Sequence, residues 1–253
     1  MNRHVLVTGA ARGIGEAVAR AFHAAGDDLT LVDARAEDLD AVASELEAVA
    51  TVQDLADPDG TERMIVAADE RRPIDVLVNA AGIYPTTPFA TLDAATFERV
   101  QRINVTAPLT ATLALARRAT AAGRRPCVVN ITSGAALRAR PGALPYSTSK
   151  AALEMVTRAS ALELGPAGIR VNAVSPGYVK VDSPVSRVSD EYEQAVSPNP
   201  LGVIGRPEEI AKAVLWLADP EQTGWITGHI LRVDGGASTG AHTLPLSWTG
   251  TAS

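Results

Sequence analysis

Residues 4–33 read HVLVTGAARGIGEAVARAFHAAGDDLTLVD, and this stretch decides the fold. His4 to Val7 is a short apolar run, followed by the glycine-rich turn Thr8-Gly9-Ala10-Ala11-Arg12-Gly13-Ile14-Gly15. Ile14, Val18 and Phe22 then recur at helical spacing. Gly26 and Asp27-Asp28 end that helix, and Leu29 to Val32 form a second apolar run closing on Asp33. Strand, glycine turn, helix, strand and acid in this order form a dinucleotide-binding unit. Glycines let the backbone turn tightly and approach a pyrophosphate, which rests on a helix N-terminus.

The alternation continues outward. Leu39–Leu46 reads as helix, Val49–Gln53 as a short strand ending at Asp54, and Gly60–Arg71 as helix. Ile74–Val78 is a buried strand running into Asn79-Ala80-Ala81-Gly82. Leu92–Arg118 is a long helical span that contains Asn104, and Pro108 either kinks it or falls at a tolerated bend. Cys127–Thr132 is a strand leading to Ser133, Tyr146–Leu164 a helix, and Ile169–Val174 a strand. A helix starting at Pro207 and a last strand, Ile230–Val233, complete the pattern. The expected fold is α/β: a single-domain, doubly wound, Rossmann-type parallel sheet with helices on both faces. Ligands of such sheets bind at the carboxyl ends of the strands. Two segments break the alternation. Residues 178–205 are rich in Pro, Ser and charge, and are expected to be a substrate lid. Residues 237–253 form an uncharged tail carrying Trp248.

Composition narrows the function. The formal net charge of −6 argues against nucleic acid as the main partner. No apolar run is long enough to span a membrane. Cys127 is the one cysteine, so no intrachain disulfide forms, and a cytoplasmic enzyme is expected. The four histidines lack metal-ligand spacing.

The chemistry is expected between Ser133 and Lys150. If Tyr146 opens a helix, Lys150 sits one turn later on the same face. An ammonium beside a phenol favours the phenolate, so Tyr146 can exchange a proton with an alcohol or carbonyl near neutral pH. Ser133 can hydrogen-bond the same substrate oxygen. Such chemistry needs a hydride carrier, which the glycine turn is suited to hold.

Taken together, these motifs resemble the short-chain dehydrogenase/reductase family over almost the whole chain. Thr8 to Gly15 match its Thr-Gly-x-x-x-Gly-x-Gly, and Ser133, Tyr146 and Lys150 match its catalytic Ser and Tyr-x-x-x-Lys. Asn79-Ala80-Ala81-Gly82 departs mildly from its Asn-Asn-Ala-Gly. Asn104 matches a helix asparagine that holds a relay water, and Asp54-Leu55 looks like the pair at the adenine ring. Pro176-Gly177 matches the pair beside the nicotinamide, and Asp234-Gly235-Gly236 the terminal motif. Val181 departs from a threonine the family often has after Pro-Gly.

The resemblance implies a coenzyme site of Gly9, Arg12, Gly13, Ile14, Gly15, Asp33, Asp54, Leu55, Asn79, Ala80, Gly82, Tyr146, Lys150, Pro176 and Gly177. It implies Tyr146 as general acid/base, Lys150 as the group that lowers its pKa and bonds the nicotinamide ribose, Ser133 as substrate-orienting and Asn104 as the link to solvent. The expected pocket is mostly apolar, with Ser133, Ala135, Leu144, Tyr146 and Tyr178 on the substrate, and Gly134, Ile83 and Tyr84 beside them. Arg138 and Arg140 are either solvated or attract an anionic substrate or carrier. The implied activity interconverts a secondary alcohol and a ketone in a homotetramer; the alternatives are an NADPH-dependent 3-oxoacyl-carrier-protein or polyketide-type ketoreductase and, without Tyr-Lys chemistry, a non-catalytic coenzyme-binding scaffold. Asp33 favours NAD(H), while Arg12 and Arg35 leave NADP(H) possible.

Overall fold

Valine and isoleucine crowd the strand segments, where branched side chains suit the pleated surface. In the computed structural model, which describes residues 2–181 and 198–240, these segments make one seven-stranded sheet. The strands are β1 His4–Thr8, β2 Asp28–Asp33, β3 Val49–Val52, β4 Val76–Asn79, β5 Cys127–Ile131, β6 Arg170–Pro176 and β7 Ile230–Val233. All pair in parallel, in the order β3-β2-β1-β4-β5-β6-β7. After β3 the chain returns to the far side of β1, so strand direction of travel reverses between β1 and β4. That reversal opens the crevice where ligands of such sheets lie.

The longer α-helices are α1 Gly13–Ala24, α2 Ala36–Glu45, α3 Pro58–Arg71, α4 Ala94–Gln101, α5 Ala107–Ala121, α6 Leu144–Leu164 and α7 Pro207–Leu217. Alternate strand residues feed two cores. Val5, Val7, Val76, Val78 and Val129 pack with Phe22 of α1 and Ile210 and Val214 of α7 on one face. Leu6, Leu77 and Val128 pack with Ile65 of α3 and Leu115 of α5 on the other. Burying both faces explains why the strands read as unbroken apolar runs.

Two expectations need correction. The long span from Leu92 is not one helix broken at Pro108. It is α4, a π turn over Arg102–Thr106, and then α5. Pro108 lies in the first turn of α5, where its missing N–H costs no helical bond. Tyr146 does not open its helix either; α6 begins at Leu144 with Pro145 in its first turn. The neck of the expected lid is closed by a bridge between Val179 and Gly205. Lys180 N–H donates to Gly205 O and Gly205 N–H to Tyr178 O. Most of the lid and of the tail lies outside the described residues.

Candidate active site

The glycine turn is shaped by close backbone approach. Gly9 has φ +69°, and a Cβ on Gly15 would lie 2.0 Å from the Gly9 carbonyl oxygen. Only glycine lets α1 start so near β1. The first-turn N–H groups of a helix have no intrahelical acceptor, and Arg12 supplies no side-chain cap to α1. This N-terminus therefore fits an anion such as a pyrophosphate. Thr8 braces the facing turn: its hydroxyl accepts from the N–H groups of Ala80 and Ala81, both at 3.2 Å. The Asn79 amide donates to Asn130 Oδ1 at 2.8 Å, and Asn130 donates to Thr157 at 2.9 Å. The Asn79 side chain thus ties β4 to β5.

Asp33 ends β2 beside the turn. Its carboxylate accepts from the Ala11 N–H at 3.2 Å and the Arg35 N–H at 3.1 Å. Burial raises its pKa, while the backbone N–H groups of Ala11 and Ala34 and the nearby Arg12 charge pull the other way. Arg12 is half-buried, not solvated as a lone surface cation, and its charge acts on Asp33. Asp54 is exposed and accepts from Ala56 N–H at 2.9 Å. The Leu55 side chain is in the core with Met64 and Ile65, so any coenzyme contact it makes is through its backbone.

The π turn has a visible consequence. It turns Asn104 inward, fully buried. Asn104 Oδ1 accepts from Ile83 N–H at 2.8 Å, and Nδ2 donates to Ile83 O at 2.9 Å and to Ser149 Oγ at 3.0 Å. Ser149 in turn donates to the Tyr146 carbonyl at 2.7 Å. One amide therefore brackets the loop after β4 to the tyrosine-bearing turn of α6. A Cβ on Gly82 would lie 3.4 Å from both Asn104 Oδ1 and Lys150 Nζ, which places all three together. Ser149 was not a sequence candidate, although its place three residues after Tyr146 was the available signal.

Ser133 follows β5, its hydroxyl accepting from Ala135 N–H at 3.1 Å and lying close enough to Tyr146 to lower the phenol's pKa. Lys150 is 4% exposed, and its ammonium donates to the Ile131 carbonyl at 2.8 Å. Nζ stands 5.7 Å from the Tyr146 ring centroid. The expected electrostatics differ here. Burial raises the Tyr146 pKa against the lowering effect of Ser133, and burial lowers Lys150 to about 8. Both groups are desolvated, and desolvation disfavours each charged form. Tyr84 further raises the Tyr146 pKa and Arg140 lowers it.

The other rim is built from chain ends. A Cβ on Gly177 would meet Asp234 Cα at 2.8 Å, so Pro176-Gly177 and the terminal motif pack without a gap. The Asp234 carboxylate accepts from Gly236 N–H at 2.9 Å and Ser238 N–H at 3.0 Å. Leu201 N–H donates to Gly235 O, so this motif also holds the returning end of the 178–205 insertion. Val181 packs over Gly13, a methyl lying 2.8 Å from where a Cβ there would stand. The two arginines separate: Arg138 donates to the Ala237 carbonyl at 3.0 Å, while Arg140 is exposed and its charge reaches Tyr146. Leu144 is exposed, and Ala135 and Tyr178 are half-buried.

A family model described as enoyl-(acyl carrier protein) reductase matches residues 9–238. Galactitol 2-dehydrogenase (L-tagatose-forming) of Cereibacter sphaeroides is 39% identical over 237 residues, covering 91% of this chain and 92% of that one. This chain belongs to the short-chain dehydrogenase/reductase family. Human L-xylulose reductase is 35% identical to this short-chain dehydrogenase/reductase, over 92% of this chain and 96% of its own. A solved 4-hydroxyisoleucine dehydrogenase complexed with NADH superposes with a TM-score of 0.85 at 28% identity, covering 95% of this chain and 100% of that one. This short-chain dehydrogenase/reductase is an NAD(P)-dependent oxidoreductase that interconverts an alcohol and a ketone. No helix among its described residues is long and apolar enough to cross a membrane.

Proposed function

We propose that the enzyme interconverts a neutral polyol and its ketose, with Tyr146 exchanging the proton and NAD(H) preferred as coenzyme. The observation that carries this reading is the phenol of Tyr146 beside the Ser133 hydroxyl, with the buried ammonium of Lys150 5.7 Å from its ring centroid. When bound, the nicotinamide supplies or accepts the hydride. Tyr146 donates its phenolic proton to the substrate oxygen in reduction and takes it back in oxidation. Ser133 donates a hydrogen bond to that oxygen and polarises it. Lys150 holds positive charge beside the phenolate as it forms, and bonds the ribose. Asn104 fixes the two backbone segments that meet there. The polyol and ketose substrates in the names of the galactitol and L-xylulose relatives support the substrate class. Arg140, exposed near Tyr146, favours a second reading in which the substrate is a carrier-linked 3-oxoacyl group reduced with NADPH.

Asp33 supports the coenzyme preference. Its carboxylate, oriented by two backbone N–H groups, can accept both adenosine-ribose hydroxyls. A 2′-phosphate in their place forfeits a charged hydrogen bond of about 1.5–3 kcal/mol and adds repulsion. Arg35 is exposed, and exposed ion pairs contribute only about 0–1 kcal/mol. NADH is therefore expected to exceed NADPH at least about tenfold in kcat/KM with ketoses, and Asp33→Ala to narrow or reverse the ratio. Steady-state kinetics with both coenzymes checks this. A wild-type preference for NADPH contradicts it, and turnover of 3-oxoacyl thioesters without ketoses favours the second reading.

We also read the protein as a cytoplasmic homotetramer. Its lone cysteine is buried, which suits a reducing compartment. Leu113 on α5, Met155 and Leu162 on α6, and Trp225 near β7 are exposed, as apolar contact surfaces are before assembly. Light scattering is expected to give the mass of four chains; a monomer contradicts the reading.

A further inference from the structure

Ser149 stands on α6 between the phenol and the ammonium, three residues after Tyr146 and one before Lys150. It is fully buried. A serine inside a helix is locally disfavoured, because its hydroxyl competes for backbone bonds, and burying that hydroxyl costs more unless it is partnered. Here it is partnered on both sides. It accepts from Asn104 Nδ2 at 3.0 Å and donates to the Tyr146 carbonyl at 2.7 Å.

The directions of these bonds are fixed by their neighbours. Ile83 N–H can only donate and Ile83 C=O can only accept, so Asn104 must turn Oδ1 to the first and Nδ2 to the second. The other Nδ2 hydrogen goes to Ser149, and the Ser149 proton therefore goes to the Tyr146 carbonyl. The same amide lies against the ammonium through Gly82, whose Cβ position is 3.4 Å from both Asn104 Oδ1 and Lys150 Nζ. Gln101 grips this turn of α6 from outside, donating to the Pro145 carbonyl and the Thr148 hydroxyl, both at 3.1 Å. Those bonds are partly or wholly open to water, whereas the Asn104–Ser149 bond is buried.

We propose that Ser149 is a positioning residue for proton exchange: by completing the Asn104 amide, it holds the turn bearing Tyr146 and the loop against Lys150 at one separation. This inference rests on the reading of Tyr146 as the proton-exchanging group. Without the hydroxyl, a buried Nδ2 hydrogen has no acceptor, and Asn104 relieves it by releasing Ile83. The loop then loosens, and solvent reaches both ionisable groups. Burial is the main cause of the raised Tyr146 pKa, so that pKa falls back toward the ordinary phenol value. Among the described residues, the charged and titratable groups acting on the phenol are Lys150 on α6, Tyr84 on the loop after β4 and Arg140 on the segment before α6, and all three stay in place.

The test follows oxidation of xylitol by NAD⁺ in full-length wild type, Ser149→Ala, Ser149→Cys and Tyr146→Phe, with coenzyme affinity and urea stability measured on each. Ser149→Ala is expected to lower the limiting kcat about tenfold. KM and coenzyme affinity should stay within about twofold, as for an interaction that acts on the chemical step. The midpoint of its pH–rate profile should move to lower pH. Ser149→Cys, a weak donor and acceptor of similar size, should fall between, and it carries the comparison if the alanine variant does not fold. Wild-type kcat and midpoint in Ser149→Ala, even with lowered stability, overturn the assignment and leave Ser149 a structural residue. A lower kcat with an unmoved midpoint also overturns it, as does a cysteine variant equal to wild type in both. Near wild-type turnover in Tyr146→Phe overturns the Tyr146 reading instead, and this inference with it. Coenzyme binding without wild-type turnover of xylitol contradicts the polyol reading and withdraws the inference as well.

Discussion

Replacing Lys150 with methionine is expected to stabilise the coenzyme-free protein at neutral pH while lowering turnover by at least about 10². The stability effect follows from burial. Lys150 is 4% exposed, and its pKa falls from 10.5 to about 8. The unfolded chain keeps the proton up to the ordinary value, whereas the folded protein releases it near the lower one. Between about pH 8 and 10.5 the unfolded state thus binds more protons, and stability rises with pH. Below that window the folded state carries the full cost of a desolvated charge. At about 1.4 kcal/mol per pH unit, that cost is about 3 kcal/mol. Methionine removes it but leaves the Ile131 carbonyl without its donor, which costs about 1 kcal/mol. The net gain of about 2 kcal/mol at pH 7 should shrink toward pH 10. Urea unfolding of both proteins from pH 7 to 10 checks the slope. Cys127 is also displaced upward, with the opposite sign, but it is common to both proteins and cancels in the difference; Tyr146 stands beside Lys150, and its upward displacement is removed by making the comparison in the Tyr146→Phe background. A difference that does not change with pH would show that Lys150 stays charged throughout.

Residues 4–33 were legible because glycine placement and apolar spacing are local signals, and the dinucleotide-binding unit appears where they put it. The parallel sheet with helices on both faces followed from the alternation of strands and helices, while the order of its strands is visible only in the folded chain. The break in the long helical span was not legible. Pro108 is the conspicuous breaker, but it falls where a proline costs nothing, and no glycine or proline marks the π turn around Asn104. In the site, the sequence brought Ser133, Tyr146 and Lys150 to one place by spacing. It did not reveal that both ionisable groups are desolvated, because burial is decided by residues far away in the chain. The fates of Arg138 and Arg140 were equally hidden. Two residues apart in sequence, they part in the fold, where Arg138 donates to the Ala237 carbonyl and the charge of Arg140 acts on Tyr146. The bracing roles of Thr8, Ser149 and Asp234 are likewise contacts that only the folded chain shows.

Tyr146→Phe carries the largest expected loss. The ring and its edge contact with Tyr84 remain, so the fold and the site's shape are kept. What disappears is the hydroxyl beside Ser133, the group assigned to exchange the proton. Loss of a general acid/base typically costs about 10²–10⁴ in rate. Coenzyme affinity should change little, since the glycine turn, Asp33 and Lys150 are untouched. The burial that raises the phenol's pKa also sets a pH dependence. Oxidation, which needs the phenolate, should gain rate as pH rises, and reduction, which needs the phenol, should not. The decisive measurement is single-turnover hydride transfer between nicotinamide coenzyme and a polyol or ketose, in wild type and Tyr146→Phe, with coenzyme affinity measured on the same samples. Equal coenzyme binding with transfer at least about 10²-fold slower in the variant is the predicted result. Transfer at near wild-type rate in Tyr146→Phe would contradict proton exchange at Tyr146.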